Sequence, residues 1–385
     1  MSINFTKNQA IARDMIIEWV KGSQREPFIL AGYAGTGKTF LLGHVISTDL
    51  GFVPKQIMYC AYTGKASQVM RSKGMDANTI HSSIYNFGVD ESYNVVQTMK
   101  SKDDLAGIKL IVVDEASMAD VEIRRDLESF GIPIIYVGDK GQLDPVGAAR
   151  GSNIMARPNI TLDEIMRQEA SSGIIIAGQL CRQGKKPSQG TNDNGMIGTD
   201  FKVYPRTEAN NMKLLAWADI VLCGFNHTRQ KINRQLRAHK GYEGDIPQVG
   251  EKVVCLKNNR DQMLTNGMTG VVTSIDETGA GTKSFKMGFL PDGVDENDDD
   301  VSLYGSLTVA YETFGGPMPE QPQKGTCYFD FGYALSVHKS QGSEFPNVVL
   351  VEERLPGANF KEHMRWLYTG ITRASRKLCI IGKGL

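Results

Sequence analysis

The sequence predicts an α/β protein on parallel sheets, arranged in two halves with small insertions. Three observations carry this. Short apolar runs alternate with helical stretches along most of the chain, several runs end in polar residues, and a glycine-punctuated β-rich stretch interrupts the second half. At 385 residues the chain exceeds what one hydrophobic core usually organises, so two or more domains are expected.

Taken in order, residues 6–21 space Ala10, Ile11, Met15, Ile16, Trp19 and Val20 on one helical face. Phe28-Ile29-Leu30-Ala31 reads as a buried strand feeding a glycine loop, with a helix from Phe40 to Ile46 behind it. Ile57 to Ala61, Leu110 to Val113 and Ile132 to Val137 are further strands; the last two run into Asp114-Glu115 and Gly138-Asp139. Polar residues at the ends of such strands mark the edge where parallel α/β sheets place their sites. Between them, residues 82–106 form a polar insertion containing Tyr85, Phe87 and Tyr93. The α/β rhythm resumes at Ile160, with a strand at Ala218 to Cys223 and a basic helix from Asn226 to Lys240. From Gly250 to Asp276, and again from Leu303 to Tyr311, β-branched residues among glycines predict a small β-rich insertion. Val348 to Val351 and Lys377 to Ile381 return to the parallel pattern.

Composition narrows the class. Hydrophobic residues make up 41% and charged residues 22%, a globular balance. The 43 basic and 43 acidic residues cancel, so attraction to a polyanion has to be local; residues 291–300 alone hold six of the acids. Six cysteines without a CxxC pair fit reduced thiols and give no zinc signature. The first residues lack an apolar signal core and no long uncharged apolar window occurs. A soluble cytoplasmic protein without a membrane partner is therefore expected.

The chemistry begins at Gly32-Tyr33-Ala34-Gly35-Thr36-Gly37-Lys38-Thr39, which matches G-x-x-x-x-G-K-T between a strand and a helix. In this context Gly35, Thr36 and Gly37 turn backbone N–H groups toward phosphate, Lys38 reaches the β and γ phosphates, and Thr39 holds Mg2+. A glycine-rich turn before a helix would share only part of this pattern. Asp114 is suited to the hydrated Mg2+ and Glu115 to polarising the attacking water. An acidic pair capping a helix is the plainer alternative, and the phosphate cradle gives the pair its catalytic meaning. Gln142, beyond the next strand, is placed to sense the γ-phosphate; an exposed turn glutamine is its alternative.

The ordered motifs resemble those of the superfamily 1 helicases, in the RecD-like branch and especially the T-even phage Dda helicases. The resemblance rests on Gln9, Gly32 to Thr39, Ala61 to Ala66, Thr79-Ile80-His81, Asp114 to Ser117, Gly138 to Leu143, Met166-Arg167-Gln168, Val337 to Phe345 and Tyr368 to Ala374. It implies two RecA-like motor domains with ATP between them. Gln9 then reads adenine, Arg167 and Arg373 approach the γ-phosphate, and Gly342 and Glu344 lie near the nucleotide. Thr63, Lys65, Thr79, His81, Ser336 and His338 match strand-facing motifs, their polar groups suiting phosphate and sugar; a packed histidine is the alternative for His338. The branch also implies a strand-separating pin at residues 82–106, with Tyr85 or Phe87 at its tip or base and meeting the fork by stacking, and an SH3-like β barrel at 248–330. The first motor domain would span residues 1–156 and the second 157–247 with 331–385. Two departures stand out: Tyr62 replaces the family's usual proline, and Gly370 its usual alanine.

The resemblance implies an ATP-dependent DNA helicase using Mg2+, translocating 5′ to 3′ on single-stranded DNA and unwinding duplex as a monomer. Fork DNA and single-strand-binding or replication proteins are its candidate partners, in the host cytoplasm if phage-encoded. A translocase that displaces bound proteins, and a non-catalytic recombination-complex subunit, are the alternative readings.

Overall fold

The computed structural model describes residues 5–22, 26–62, 64–72, 74–89, 95–119, 121–143, 153–164, 172–187, 200–259, 262, 264, 266–276, 283–292, 304–323 and 325–382. They belong to two compact units, Met1–Arg182 and Gln183–Leu385.

The first unit opens on a capping box. The Thr6 hydroxyl accepts from the Gln9 N–H and the Gln9 side chain accepts from the Thr6 N–H, starting α1 (Lys7–Lys21). Ala12, Ile16 and Trp19, three and four apart, are its buried apolar stripe. Next come β1 (Phe28–Gly32), α2 (Lys38–His44, continued by a π turn over Val45–Asp49), β2 (Ile57–Ala61), α3 (Gly64–Ser72), β3 (Ala77–Thr79) and α4 (Ile80–Ile84). A hairpin of β4 (Tyr85–Val89) and β5 (Val95–Met99) precedes β6 (Leu110–Asp114), α5 (Val121–Ser129), β7 (Ile134–Gly138), β8 (Ile160–Leu162) and α6 (Gly173–Arg182). The sheet runs β3-β2-β6-β7-β1-β8, with every pairing parallel.

Strand alternation gives this sheet two apolar faces. Leu110, Val112, Ile135 and Val137 join a core with Ala12 and Ile16 of α1. Their neighbours Ile111, Val113, Ile134 and Tyr136 enter the opposite core with Ile80, Ile84, Ile123 and Leu127 of α4 and α5. The continuous apolar runs seen in the sequence thus reflect strands covered on both sides.

One boundary differs from expectation. Ile160 and Thr161 of β8 pair with Leu30 and Ala31 of β1, and the first unit continues to Arg182 rather than ending near residue 156. A three-residue strand carries too little pattern to announce its sheet; pairing with β1 decides it. Within the expected insertion at 82–106, Tyr85 pairs with Met99 and Val89 with Val95 in an antiparallel hairpin.

In the second unit, β9 (Phe201–Pro205), α7 (Met212–Trp217), β10 (Ile220–Cys223) and α8 (Asn226–His239) lead into five short strands: β11 (Lys252–Cys255), β12 (Thr269–Asp276), β13 (Ser284–Pro291), β14 (Leu307–Ala310) and β15 (Phe329–Phe331). The chain then returns through β16 (Ala334–Ser336), β17 (Phe345–Val351), α9 (Phe360–Ile371) and β18 (Ala374–Gly382). The parallel sheet is ordered β16-β10-β17-β18-β9. The inserted sheet, β14-β13-β12-β11-β15, is antiparallel. It also curls on itself: the Ala310 N–H donates to the Cys327 carbonyl and the Cys327 N–H to Thr308, joining β14 to the segment entering β15. All six cysteines are buried free thiols, and burial pushes those of Cys60, Cys223 and Cys255 up to about 12. Among the described residues no helix is long and apolar enough to cross a membrane.

Helix α8 fastens the insertion to the parallel sheet. Arg229, Asn233 and Arg237 recur every fourth residue on its buried face. Arg229 pairs with Asp330 at 2.5 Å. Asn233 donates to the Phe331 carbonyl at 2.8 Å and accepts from the Ala334 N–H at 2.7 Å. Arg237 grips Glu251 with two bonds of 2.8 Å, and its guanidinium carbon sits 3.9 Å above the Phe331 ring. The Tyr333 hydroxyl donates to the same carboxylate; burial first and then Glu251 push its pKa up.

Removing one member of a buried, bidentate pair strands the other charge. Glu251→Ala should lower the unfolding free energy by about 3–5 kcal/mol. Urea unfolding checks it; a variant as stable as the parent would contradict the assigned role.

Candidate functional site

The first unit gathers its polar residues at one sheet edge. Because β6, β7 and β1 are adjacent and parallel, their carboxyl ends present Asp114-Glu115, Gly138 to Gln142 and Gly32 to Thr39 side by side. The strand that leads into the glycine loop is buried, and α2 starts at Lys38 directly after it. Gly35 and Gly37 take positive φ angles of 74° and 71°, which a side chain would disfavour. A Cβ on Gly32 would lie 2.8 Å from Thr36 Oγ1 and 2.9 Å from the Lys38 methylenes, so a side chain there would require both to move.

Lys38 folds back over this loop. Its ammonium donates to the carbonyls of Gly32 and Tyr33 at 2.9 and 3.0 Å. The buried Thr36 hydroxyl also donates to Tyr33, at 2.8 Å. Gln9 is only 1% exposed, and its amide nitrogen donates to the Thr36 carbonyl at 3.0 Å. The residue expected to read adenine therefore also ties the start of α1 to the phosphate loop. Thr39, at the start of α2, is half-buried.

Glu115 is the one non-glycine residue with positive φ, 50°, among the described residues. Its backbone N–H donates to the Asp114 carboxylate at 2.9 Å, so the acidic pair sits on a tight turn right after β6. Strain of this kind is characteristic of functional sites. Gln142 is buried beside Asp139, whose carboxylate accepts from the Gly141 N–H at 2.8 Å. The hydroxyl of Thr39 and the carboxylate of Asp114 are hard oxygen donors. They fit Mg2+, which binds through one or two protein oxygens completed by phosphate and water.

The same edge continues past β6. Ala61 at the end of β2 aligns with Asp114 on one side and with Thr79 of β3 on the other. Thr79 caps α4 by accepting from the Ser82 N–H at 3.2 Å. His81 follows, half-buried, with its ring centroid 6.5 Å from Tyr62 and 5.9 Å from Tyr85. The Tyr85 hydroxyl donates to Asp126 of α5. Tyr85 thus stands at the base of the hairpin and Phe87 in the middle of β4; neither is at the tip. Lys65 lies at the start of α3. Thr63, Arg167 and hairpin residues 90–94 lie outside the described residues.

In the second unit the expected residues fall at two ends of the sheet. Ser336 closes β16, and its hydroxyl accepts from the Lys339 N–H at 3.3 Å. His338 follows, its pKa lowered by burial, which favours the neutral ring. Burial, with Arg229 nearby, likewise lowers Lys339. Gly342, Glu344 and Arg373 gather at the opposite end, where β17 and β18 begin. Arg373 is 4% exposed and donates to the Thr369 carbonyl, the Ser343 carbonyl and the Thr372 hydroxyl, each at 3.1 Å. Its acceptors are neutral, so the cation is held without being neutralised. At Gly370 a Cβ would lie 2.9 Å from a Leu350 methyl, where α9 packs on the sheet, so the family's usual alanine would require Leu350 to shift.

Sequence reasoning missed two features. Arg182 of α6 places its guanidinium carbon 3.1 Å from the centre of the Tyr33 ring in the phosphate loop, and Asp126 anchors Tyr85. Neither partner lies near its counterpart in sequence, so no local spacing could signal them.

Two family models match: an AAA domain over residues 9–200 and a UvrD-like helicase C-terminal domain over residues 331–381. The chain is similar to the RecBCD enzyme subunit RecD of Buchnera aphidicola from Acyrthosiphon pisum, 30% identical over 453 residues covering 92% of this chain and 69% of that protein. It is similar to the ATP-dependent RecD2 DNA helicase of Deinococcus radiodurans, 26% identical over 90% of this chain and 45% of the relative. The likeness to the ATP-dependent DNA helicase dda of phage T4 is 31% over 147 residues, covering 37% of this chain and 33% of that helicase. The chain therefore spans less than half the length of the last two. Among solved structures, Bacteroides Pif1 bound to single-stranded DNA shares the fold, with a TM-score of 0.53 at 18% identity, covering 99% of this chain and 92% of that one.

The geometry of the cradle makes a direct prediction. Gly32→Ala should weaken ATP binding by about tenfold, equivalent to ~1.4 kcal/mol, by displacing Lys38 and Thr36 together. Fluorescent-nucleotide titration measures it, and an unchanged affinity would show that the loop tolerates a side chain.

Proposed function

The chain belongs to the RecD-like branch of the superfamily 1 helicases, a family of ATP-dependent DNA helicases, and from that premise we propose that it translocates 5′ to 3′ on single-stranded DNA and unwinds duplex. The observation that carries the reading is the shared edge of β6, β7 and β1, which holds a phosphate loop, an acidic pair and a glutamine together. Each parallel sheet is assigned as a RecA-like motor. The Tyr85–Met99 hairpin is assigned as the strand-separating pin, and the curled five-stranded sheet within residues 248–330 as an SH3-like barrel.

Residue roles follow from chemistry. Lys38 exchanges two neutral carbonyls for phosphate oxygens, a stronger, charge-assisted set of bonds. Thr39 and Asp114 hold Mg2+, which offsets phosphate charge when bound. Glu115 orients and polarises the attacking water, and Gln142 responds to the γ-phosphate. Arg373 supplies positive charge to the γ-phosphate during turnover, with Arg167 as the second candidate arginine. Gly342 and Glu344 lie near the sugar of the nucleotide. Thr63, Lys65, Thr79 and His81 grip the strand on one motor, and Ser336 and His338 on the other, through backbone contacts that tolerate any sequence.

Two measurements test this. Arg373→Ala should lower DNA-stimulated ATP hydrolysis by ~10³-fold or more while leaving ATP affinity within a few-fold; equal loss of both would make Arg373 structural. A duplex bearing a 5′ single-stranded tail should be unwound and its 3′-tailed counterpart left intact, and the reverse preference would overturn the polarity.

A further inference from the structure

We propose that Arg182 is a positioning residue for the phosphate loop: its guanidinium pins the Tyr33 ring, and through Tyr33 it holds Lys38 and Thr36 in the arrangement that receives ATP. The proposal deepens the helicase reading and depends on its nucleotide site.

The loop has little stiffness of its own. Glycines stand at 32, 35 and 37, and the last two take positive φ; glycine loses more backbone freedom on ordering than any other residue. Tyr33 is the one large side chain between Gly32 and Gly35, and the fold engages it at three points. Its N–H donates to the Leu162 carbonyl of β8 at 3.2 Å. Its carbonyl accepts from the Lys38 ammonium at 3.0 Å and from the Thr36 hydroxyl at 2.8 Å. Its ring has the Arg182 guanidinium carbon 3.1 Å from its centre, and the Lys140 ammonium 5.7 Å from the same centre. Lys140 is itself tied to β8 by donating to the Thr161 hydroxyl at 3.1 Å. Ring and carbonyl share one Cα. A backbone turn that carried the carbonyl away from Lys38 and Thr36 would therefore drag the ring off the guanidinium.

Arg182 gives up solvent to make this contact. It is the last residue of α6, and its Nε is buried without a hydrogen-bond partner among the described residues. Leaving a buried donor unpaired is costly. A guanidinium offsets that cost by stacking, because it is planar, weakly hydrated and attracted to an aromatic face. The stack thus restrains the loop from outside it, which lowers the ordering cost that ATP would otherwise meet on binding.

The test asks whether Arg182 acts through Tyr33. ATP hydrolysis with saturating oligo(dT), and titration with a fluorescent non-hydrolysable ATP analogue, are measured on the full chain for Arg182→Met, Tyr33→Leu, Tyr33→Phe and the Arg182→Met/Tyr33→Leu double variant. Each of Arg182→Met and Tyr33→Leu should raise the KM for ATP and the Kd of the analogue by about three- to thirtyfold, with kcat within a few-fold of the parent. Tyr33→Phe keeps the ring face and should stay within twofold. The double variant should be no worse than the weaker-binding single, because both remove one interaction. Additive losses would show that Arg182 reaches the nucleotide without Tyr33 and would overturn the proposal, as would an unchanged KM in Arg182→Met. An equal loss of oligo(dT) affinity in both singles would make the pair merely structural and overturn it too. A parent protein that binds no ATP would instead sink the helicase reading.

Discussion

A parallel sheet delivers the carboxyl end of every strand to one edge, and that constraint organises the first unit. With the order β3-β2-β6-β7-β1-β8, the edge divides into two neighbouring stretches. Strands β6, β7 and β1 bring Asp114, Glu115, Gln142 and the glycine loop together; β3 and β2 bring Thr79, His81 and Tyr62. Asp114 is in register with Ala61 across the boundary, so the acid assigned to the metal and the segment assigned to the strand share one pair of hydrogen-bonded strands.

The second unit meets a different constraint, because its antiparallel insertion must be held to a parallel sheet without a strand in common. Helix α8 meets it with a polar seam instead of an apolar one. Buried ion pairs contribute little net stability when they replace a hydrophobic contact, yet breaking them is costly, so the seam fixes orientation more than it adds affinity. The seam also borders the loop after β16, where burial and then Arg229 lower the Lys339 pKa while Asp330 opposes them.

Much of the fold was legible in the sequence because its strands are covered on both faces and read as uninterrupted apolar runs. Gly32 to Thr39, Asp114-Glu115 and Gly138 to Gln142 were equally visible, since each follows such a run within a few residues. What could not be read depends on distant partners. Ile160 to Leu162 becomes a strand of the first sheet only through β1. Residues 226–240 read as a basic helix, yet Arg229 and Arg237 are buried because Asp330 and Glu251 meet them from later in the chain. Tyr62 was visible as a departure from the family pattern, but its place in a string of rings required His81, Tyr85 and Asp126 to be brought together by α4 and α5.

Lys38 and Arg373, both assigned by the proposal to phosphate, share one kind of environment. Each is held by neutral oxygens, carbonyls for Lys38 and two carbonyls with a hydroxyl for Arg373. A carboxylate partner would have made the same geometry cheaper to bury, but it would also have competed with phosphate for the cation. Neutral acceptors orient the group and leave its charge uncompensated, and charge-assisted bonds to phosphate are about twice as strong as those to neutral acceptors. Arg229 and Arg237 differ from Arg373 in this respect, because Asp330 and Glu251 neutralise them; the contrast supports the proposed role of Arg373 at the γ-phosphate.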